Sequence, residues 1–132
     1  MASTSLIKKL RLQPGQHALI PKAPEGFIQL LGDLPEGVEI SSSSEGIYDF
    51  ILLFVNNVAE FEAEVPAATR VGKYDCLLWV AYPKQSSGVK TDIHRDITWK
   101  LAEKVRLHPV AQIALDDIWS ALRFRPAERV GS

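Results

Sequence analysis

The sequence predicts an α/β fold: a mainly parallel, twisted sheet of about six strands, helices on both faces, and a C-terminal antiparallel hairpin. Three observations predict it. Two apolar runs, Tyr48 to Val55 (broken only by Asp49) and Cys76 to Tyr82, have the continuity of strands covered on both faces. Stretches with apolar residues at helical spacing alternate with the strand-like runs. Near the end, Val110–Leu115 and Trp119–Phe124 are separated by the turn-like pair Asp116-Asp117, a link so short that the two strands must be antiparallel neighbours.

Taken in order, residues 4–12 form a short helix or extended arm with Leu6, Ile7, Leu10 and Leu12 apolar. Pro14-Gly15 is a turn that launches a strand from His17 to Pro21. Pro24 and Glu25 suit a helix's first turn, where proline's missing donor costs nothing and a carboxylate meets the positive dipole end. Phe27, Leu30, Leu31 and Leu34 repeat at helical spacing, and Gly32 ends that helix. Val38–Ile40 is a short strand, and Ser41–Gly46 is a polar loop. About seven residues separate Ile40 from Ile47. That is too few for a helical crossover, so this link runs extended.

Asn57 with Glu60 makes a capping box for a helix whose stripe is Val58, Phe61, Val65 and Ala68. Pro66 removes one helical hydrogen bond, which predicts a kink or two short pieces. Gly72 closes that helix. Pro83 stops the second central strand, and a polar loop runs from Lys84 to Thr91. Asp92 then caps a helix with the stripe Ile93, Ile97, Leu101 and Val105, ended by His108-Pro109. Trp99 falls on the opposite side, where an exposed indole marks a contact surface. Arg123 and Arg125 alternate with Leu122 and Phe124, the pattern of a protected edge strand.

Composition excludes several classes. A net charge of −1 argues against a surface built for nucleic acid. One cysteine, Cys76, permits no intramolecular disulfide, which fits a reducing compartment. The first residues lack the apolar core of a signal peptide, and no apolar run approaches the roughly 18 residues of a membrane span. The expectation is a soluble cytoplasmic protein, with no nucleic-acid and no membrane partner. Three scattered histidines and one strand cysteine give no metal-ligand spacing. The domain expected is residues 1–126, with 127–132 a tail.

At the residue level a resemblance emerges. Leu10-Arg-Leu-Gln-Pro-Gly-Gln-His-Ala-Leu19 resembles the lead-in to the first strand of class I S-adenosylmethionine methyltransferases. Tyr48-Asp-Phe-Ile-Leu-Leu-Phe54 resembles their fourth strand and Gly72–Tyr82 their fifth, and the terminal hairpin resembles theirs. The resemblance implies a reduced Rossmann-like architecture from which one βαβ segment, between Ile40 and Ile47, is missing. It also implies S-adenosylmethionine as cofactor, held by a strand-end acid and a glycine-rich turn. Here the equivalent stretch is Ile20-Pro-Lys-Ala-Pro-Glu-Gly26, with one glycine, and the ribose-binding acid has only Glu39 as a candidate. No cofactor is therefore expected. The run from Leu77 to Asp92, with the Asp-x-Trp-Ser pattern of Asp117–Ser120, also resembles small bacterial proteins that form a family of unknown function.

Candidate site residues lie in the loop after the central strand. Lys84, Ser86, Ser87, Gly88, Lys90 and Thr91 form a basic, hydroxyl-rich segment before a helix start, which suits phosphate or carboxylate. It is not a phosphate-binding loop of the Walker type, since the upstream glycine is absent. The alternative reading is solvated surface. Lys22, and Glu25 with it, leave the first strand toward the same crevice. His94 is a candidate base against a structural role, Ser120 lacks nucleophile-elbow partners, and Asp116-Asp117 read as a turn. The expectation is a non-catalytic binding or interaction protein with an anionic or nucleotide-like ligand at the carboxyl edge of the sheet. The alternative is a divergent methyltransferase. A homodimer through Trp99 or the terminal hairpin stays open.

Overall fold

A computed structural model describes residues 2–31, 34–41, 46–84, 87–88 and 90–129. Its elements run α1 (Ala2–Leu10), β1 (His17–Leu19), α2 (Phe27–Leu31), β2 (Glu39–Ser41), β3 (Tyr48–Phe54), α3 (Val58–Val71), β4 (Gly72–Pro83), α4 (Arg95–Lys104), β5 (Leu107–Ala114) and β6 (Trp119–Pro126), with a 3-10 turn at Ala127–Arg129. Among the described residues the sheet has six strands in the order β2-β1-β3-β4-β6-β5. The first four are parallel, and β5 and β6 are antiparallel. This is the reduced α/β architecture the apolar runs predict.

The period of two along β3 and β4 divides the core into two layers. Ile51, Leu53, Leu78, Val80 and Tyr82 face α3 and α4. Phe50, Leu52, Phe54, Trp79 and Ala81 face α1 and α2. Trp79 also donates its indole N–H to the Leu10 carbonyl at 3.0 Å, which ties the last turn of α1 to the sheet.

Local chemistry accounts for where the elements depart from expectation. α3 runs unbroken through Pro66 rather than splitting. The carbonyl that proline leaves without a donor belongs to Glu62, an exposed residue, where solvent can take the donor's place. Pro24 and Glu25 lie before α2, in a turn closed by the Phe27 N–H on the Pro24 carbonyl at 3.0 Å. α4 begins at Arg95, not at Asp92, and His94 is its N-cap residue. The Asp92 carboxylate instead accepts the Val58 N–H at 2.9 Å, at the start of α3. His108 and Pro109 do not end a helix but lie in β5. Proline is tolerated there because β5 is an edge strand. Conversely β6, carrying Arg123 and Arg125, is internal and not an edge: Arg125 makes a two-pronged ion pair with Asp75, at 2.9 and 2.6 Å. Gly32 and residues 42–45 lie outside the described residues.

Six residues, 42–47, link β2 to β3. Ser41 and Ile51 both align with Leu19 of the intervening β1, so Tyr48 starts three residues lower and two strands away. At roughly 4.8 Å per strand and 3.3 Å per residue, the gap is about 14 Å. Seven Cα–Cα steps reach about 23 Å when extended, so no crossover helix is needed.

Candidate ligand-binding site

β4 delivers the site. Its last residue, Pro83, pairs with Trp119, and the next N–H, that of Lys84, donates to the Ile118 carbonyl at 2.7 Å. This fixes where the Lys84 side chain leaves the sheet. The Asp116 carboxylate accepts the N–H groups of Ile118 and Trp119 at 2.8 and 2.7 Å, which holds the β5–β6 turn and the start of β6. The aspartate pair is thus a turn device.

Between the end of β4, the first turn of α4 and the β5–β6 hairpin lies an open cavity of about 700 Å³. This is within the range of small-molecule sites. Its floor is polar. The Tyr82 and Ser120 side chains, 3% and 6% exposed, sit beneath Gln112, whose amide donates to both hydroxyls at 3.3 and 3.4 Å. Ser120 donates in turn to the Ile113 carbonyl at 3.2 Å. Burial pushes the Tyr82 phenol above its ordinary pKa, while the Ser120 hydroxyl and the Arg95 charge pull it partly back. The phenol therefore stays protonated at neutral pH and remains a donor.

The rim carries charge. Lys84, His94, Arg95 and Asp96 line it. The Arg95 guanidinium meets the Asp96 carboxylate at 3.5 Å. The side chains of Lys84 and His94 have no hydrogen-bond or ion-pair partner among the described residues. His94 leaves its imidazole uncommitted because the backbone does the local work: its carbonyl accepts the Thr98 N–H and hydroxyl at 2.9 and 2.8 Å.

Of the anion-site candidates named from sequence only Lys84 lines this cavity; His94 and Ser120, weighed from sequence as a base and a nucleophile, line it too. Lys22, 71% exposed, follows β1 and points its ammonium to Glu64 of α3 at 3.6 Å. β3 stands between β1 and β4, so the two exits are about 10 Å apart. Thr91 donates its hydroxyl to the Asn56 carbonyl and accepts the Ile93 N–H at 3.1 Å. With Asp92 it lays the loop across the exit of β3. Ser87 donates its hydroxyl to the Lys84 carbonyl at 2.6 Å. Gly88 adopts φ +81° with open space around it, Lys90 and Glu25 are exposed, and Ser86 lies outside the described residues. Sequence reasoning passed over Tyr82, Arg95, Asp96 and Gln112. The available signal was slight: Gln112 and Ser120 are polar residues within the two hairpin strands, as are His108, Arg123 and Arg125.

A second cavity, of about 210 Å³, opens at the amino edge of the sheet beside Cys76. Burial, then the neighbouring Asp75 charge, pushes that thiol up to about 11. A thiol so disfavoured as thiolate is a poor nucleophile.

The β1–α2 turn bears on the cofactor that the resemblance implies. Two of its residues, Pro21 and Pro24, offer no backbone donor. The Phe27 N–H is already used by the Pro24 carbonyl. Glu39 opens β2 rather than ending it. S-adenosylmethionine calls for close backbone approach and a strand-end acid, and this turn has two prolines, one glycine and no acid directly at the end of β1.

No protein-family profile matches this chain, and no curated protein matches it. Solved structures do. The chain is similar to a SAM-dependent methyltransferase from Aquifex aeolicus at 14% identity and a TM-score of 0.59, over 92% of this chain and 88% of that one. It is similar to the N-methyltransferase NodS from Bradyrhizobium japonicum WM9 at 13% identity and a TM-score of 0.61, over 94% and 93%. It is also similar to the 1,6-didemethyltoxoflavin-N1-methyltransferase of Burkholderia thailandensis, solved with S-adenosylhomocysteine, at 11% identity and a TM-score of 0.56, over 95% and 76%. At such identities the likeness defines the fold: a reduced methyltransferase-like α/β protein.

Proposed function

We propose that this chain is a non-catalytic binding protein that takes a small anionic ligand at the carboxyl edge of its sheet. The observation that carries the reading is the cavity between β4, α4 and the β5–β6 hairpin, with the Lys84 ammonium, the Arg95 guanidinium and the His94 imidazole on one rim. Lys84 and His94 have no partner among the described residues. Cations gathered on one rim favour phosphate or carboxylate. Ser87, Gly88, Lys90 and Thr91 follow Lys84 in the chain, outside the cavity lining, and Lys22 lies farther along the same edge. A homodimer through the exposed face of Trp99, 46% accessible, is compatible with this site.

The second reading, a divergent S-adenosylmethionine-dependent methyltransferase, is favoured by the fold likeness over more than nine-tenths of the chain. One experiment separates the two. Thermal melts are run with pyrophosphate, with S-adenosylmethionine and with S-adenosylhomocysteine, each raised until the response saturates. A ligand at 100 times its dissociation constant adds about 2.7 kcal/mol, roughly 10 °C for a chain of this size. Stabilisation by pyrophosphate that Lys84→Ala with Arg95→Ala removes supports the anion site. Stabilisation by either sulfonium compound or its product, with none by pyrophosphate, selects the methyltransferase.

A further inference from the structure

We infer that the cavity selects a phosphorylated polyol, of which a sugar phosphate is the compact form, over a bare anion and over a nucleotide. This rests on the anion-binding reading above and names its ligand class.

The floor carries the argument. Tyr82 and Ser120 present hydroxyls, and Gln112 presents an amide. The Ser120 proton is already given to the Ile113 carbonyl, so the groups that can both donate and accept toward a ligand, as the hydroxyls of a polyol do, are the Tyr82 hydroxyl and the Gln112 amide. The Gln112 amide donates to both floor hydroxyls. Whichever way that amide is turned, one of its two ends is left for the cavity. A bare phosphate at this depth would set its charge against the amide and hydroxyl oxygens, and it would fill a small part of about 700 Å³. A neutral polyhydroxyl body satisfies the floor and fills the space.

The rim accounts for the phosphate. Arg95 offers a planar fork suited to two phosphate oxygens, and Lys84 adds a point charge. Asp96 stands beside them, 3.5 Å from Arg95. Its carboxylate repels a second or third phosphate and accepts sugar hydroxyls. Among the described residues no Trp or Phe ring lines the cavity, the Tyr82 ring is buried to its hydroxyl edge, and the small His94 imidazole is the ring left on the rim. A nucleobase would find no tyrosine, tryptophan or phenylalanine face to stack on, and such stacking is the usual source of base affinity.

Calorimetry on the full chain tests this with glycerol 3-phosphate, ribose 5-phosphate, glucose 6-phosphate, inorganic phosphate and AMP. The expected result is that at least one of the three polyol phosphates binds ten-fold or more tighter than both inorganic phosphate and AMP. In Gln112→Leu that preference over phosphate shrinks toward unity. Gln112 is exposed, so the variant should fold; Tyr82→Phe repeats the test if it does not. Equal affinity for phosphate and all three polyol phosphates overturns the inference and leaves the anion site standing. Tighter binding of AMP overturns it in favour of a nucleotide. An unchanged preference in a folded Gln112→Leu or Tyr82→Phe overturns the role given to the floor. Binding of none of the five overturns the anion reading itself.

Discussion

Asp92→Ala tests how the candidate loop is held. The carboxylate accepts the Val58 N–H at 2.9 Å. It therefore satisfies one of the α3 donors left without an intrahelical partner. Asn57 serves a second, the Glu60 N–H at 2.8 Å, and the Glu60 side chain returns to the Asn56 N–H at 2.9 Å. Losing an N-terminal acceptor costs about 1 kcal/mol. Losing an exposed charge at the positive helix end costs about 0.5 kcal/mol more. Asp92 is exposed and water takes its place, so the total stays near 1.5 kcal/mol, or about 5 °C in melting temperature. Asp92→Asn keeps an acceptor and should lose about a third as much. Urea denaturation gives the free energy, and amide exchange gives the location. Val58 and its neighbours should exchange faster in Asp92→Ala while Thr98 in α4 does not. Faster exchange at Thr98 with Val58 unchanged would mean that Asp92 serves α4 after all. A loss under about 0.3 kcal/mol would mean the bond contributes nothing.

Further outcomes follow from groups elsewhere. The His17 backbone N–H at 2.9 Å, then the Lys73 ammonium at 2.7 Å, hold the Asp49 carboxyl below its ordinary 3.8, against the opposing effect of burial. Its stabilisation is complete above that ordinary value and fades as pH falls through the lower folded one; Asp49→Asn should melt lower at pH 7 and show a shallower acid limb below about pH 4. Trp79→Phe should cost about 2 kcal/mol, because the Leu10 carbonyl loses its donor, and trypsin should cut faster after Lys8 and Lys9 in α1. With its thiol pushed up to about 11, Cys76 should react with a disulfide reagent at pH 8 on the order of 100-fold more slowly than free cysteine, and at the ordinary rate once urea unfolds the chain.

The central strands were legible because burial on both faces writes a continuous apolar run, and β3 and β4 each have one; the place of β6 inside the sheet was not, since Arg123 and Arg125 read as an edge pattern. The short link from Ile40 to Ile47 was legible as well, since counting residues bounds reach. Helix starts were not. Asp92 stands three residues before α4, so its composition suits a cap. Which helix it serves depends on the tertiary placement of Val58, 34 residues away. Pro109 looked like a helix stop because sequence does not reveal which strand lies at an edge. The site was half legible. Lys84 sits at the end of a strand whose exit the pattern predicts. Gln112 and Ser120 belong to it only through the antiparallel register that sets Tyr82 opposite Ser120, and no local signal carries that register.

The brevity of the β2–β3 link bears on which end of the sheet can hold a ligand. Among the described residues, no helix stands between these strands to cover β1 and β2 on the α3 face. Side chains take its place. The His17 ring lies 4.5 Å from that of Tyr48, the Tyr48 hydroxyl donates to Ser41 at 3.2 Å, and Lys22 leans to Glu64. These contacts draw polar groups inward over β1 and engage them with one another. At the other end, β6 and β5 extend the sheet past β4, and α4 covers it only from Arg95 onward. There the polar groups of Tyr82, Gln112 and Ser120 face a cavity rather than a helix. Among the described residues, β4, α4 and the hairpin are thus the walls that enclose the larger cavity.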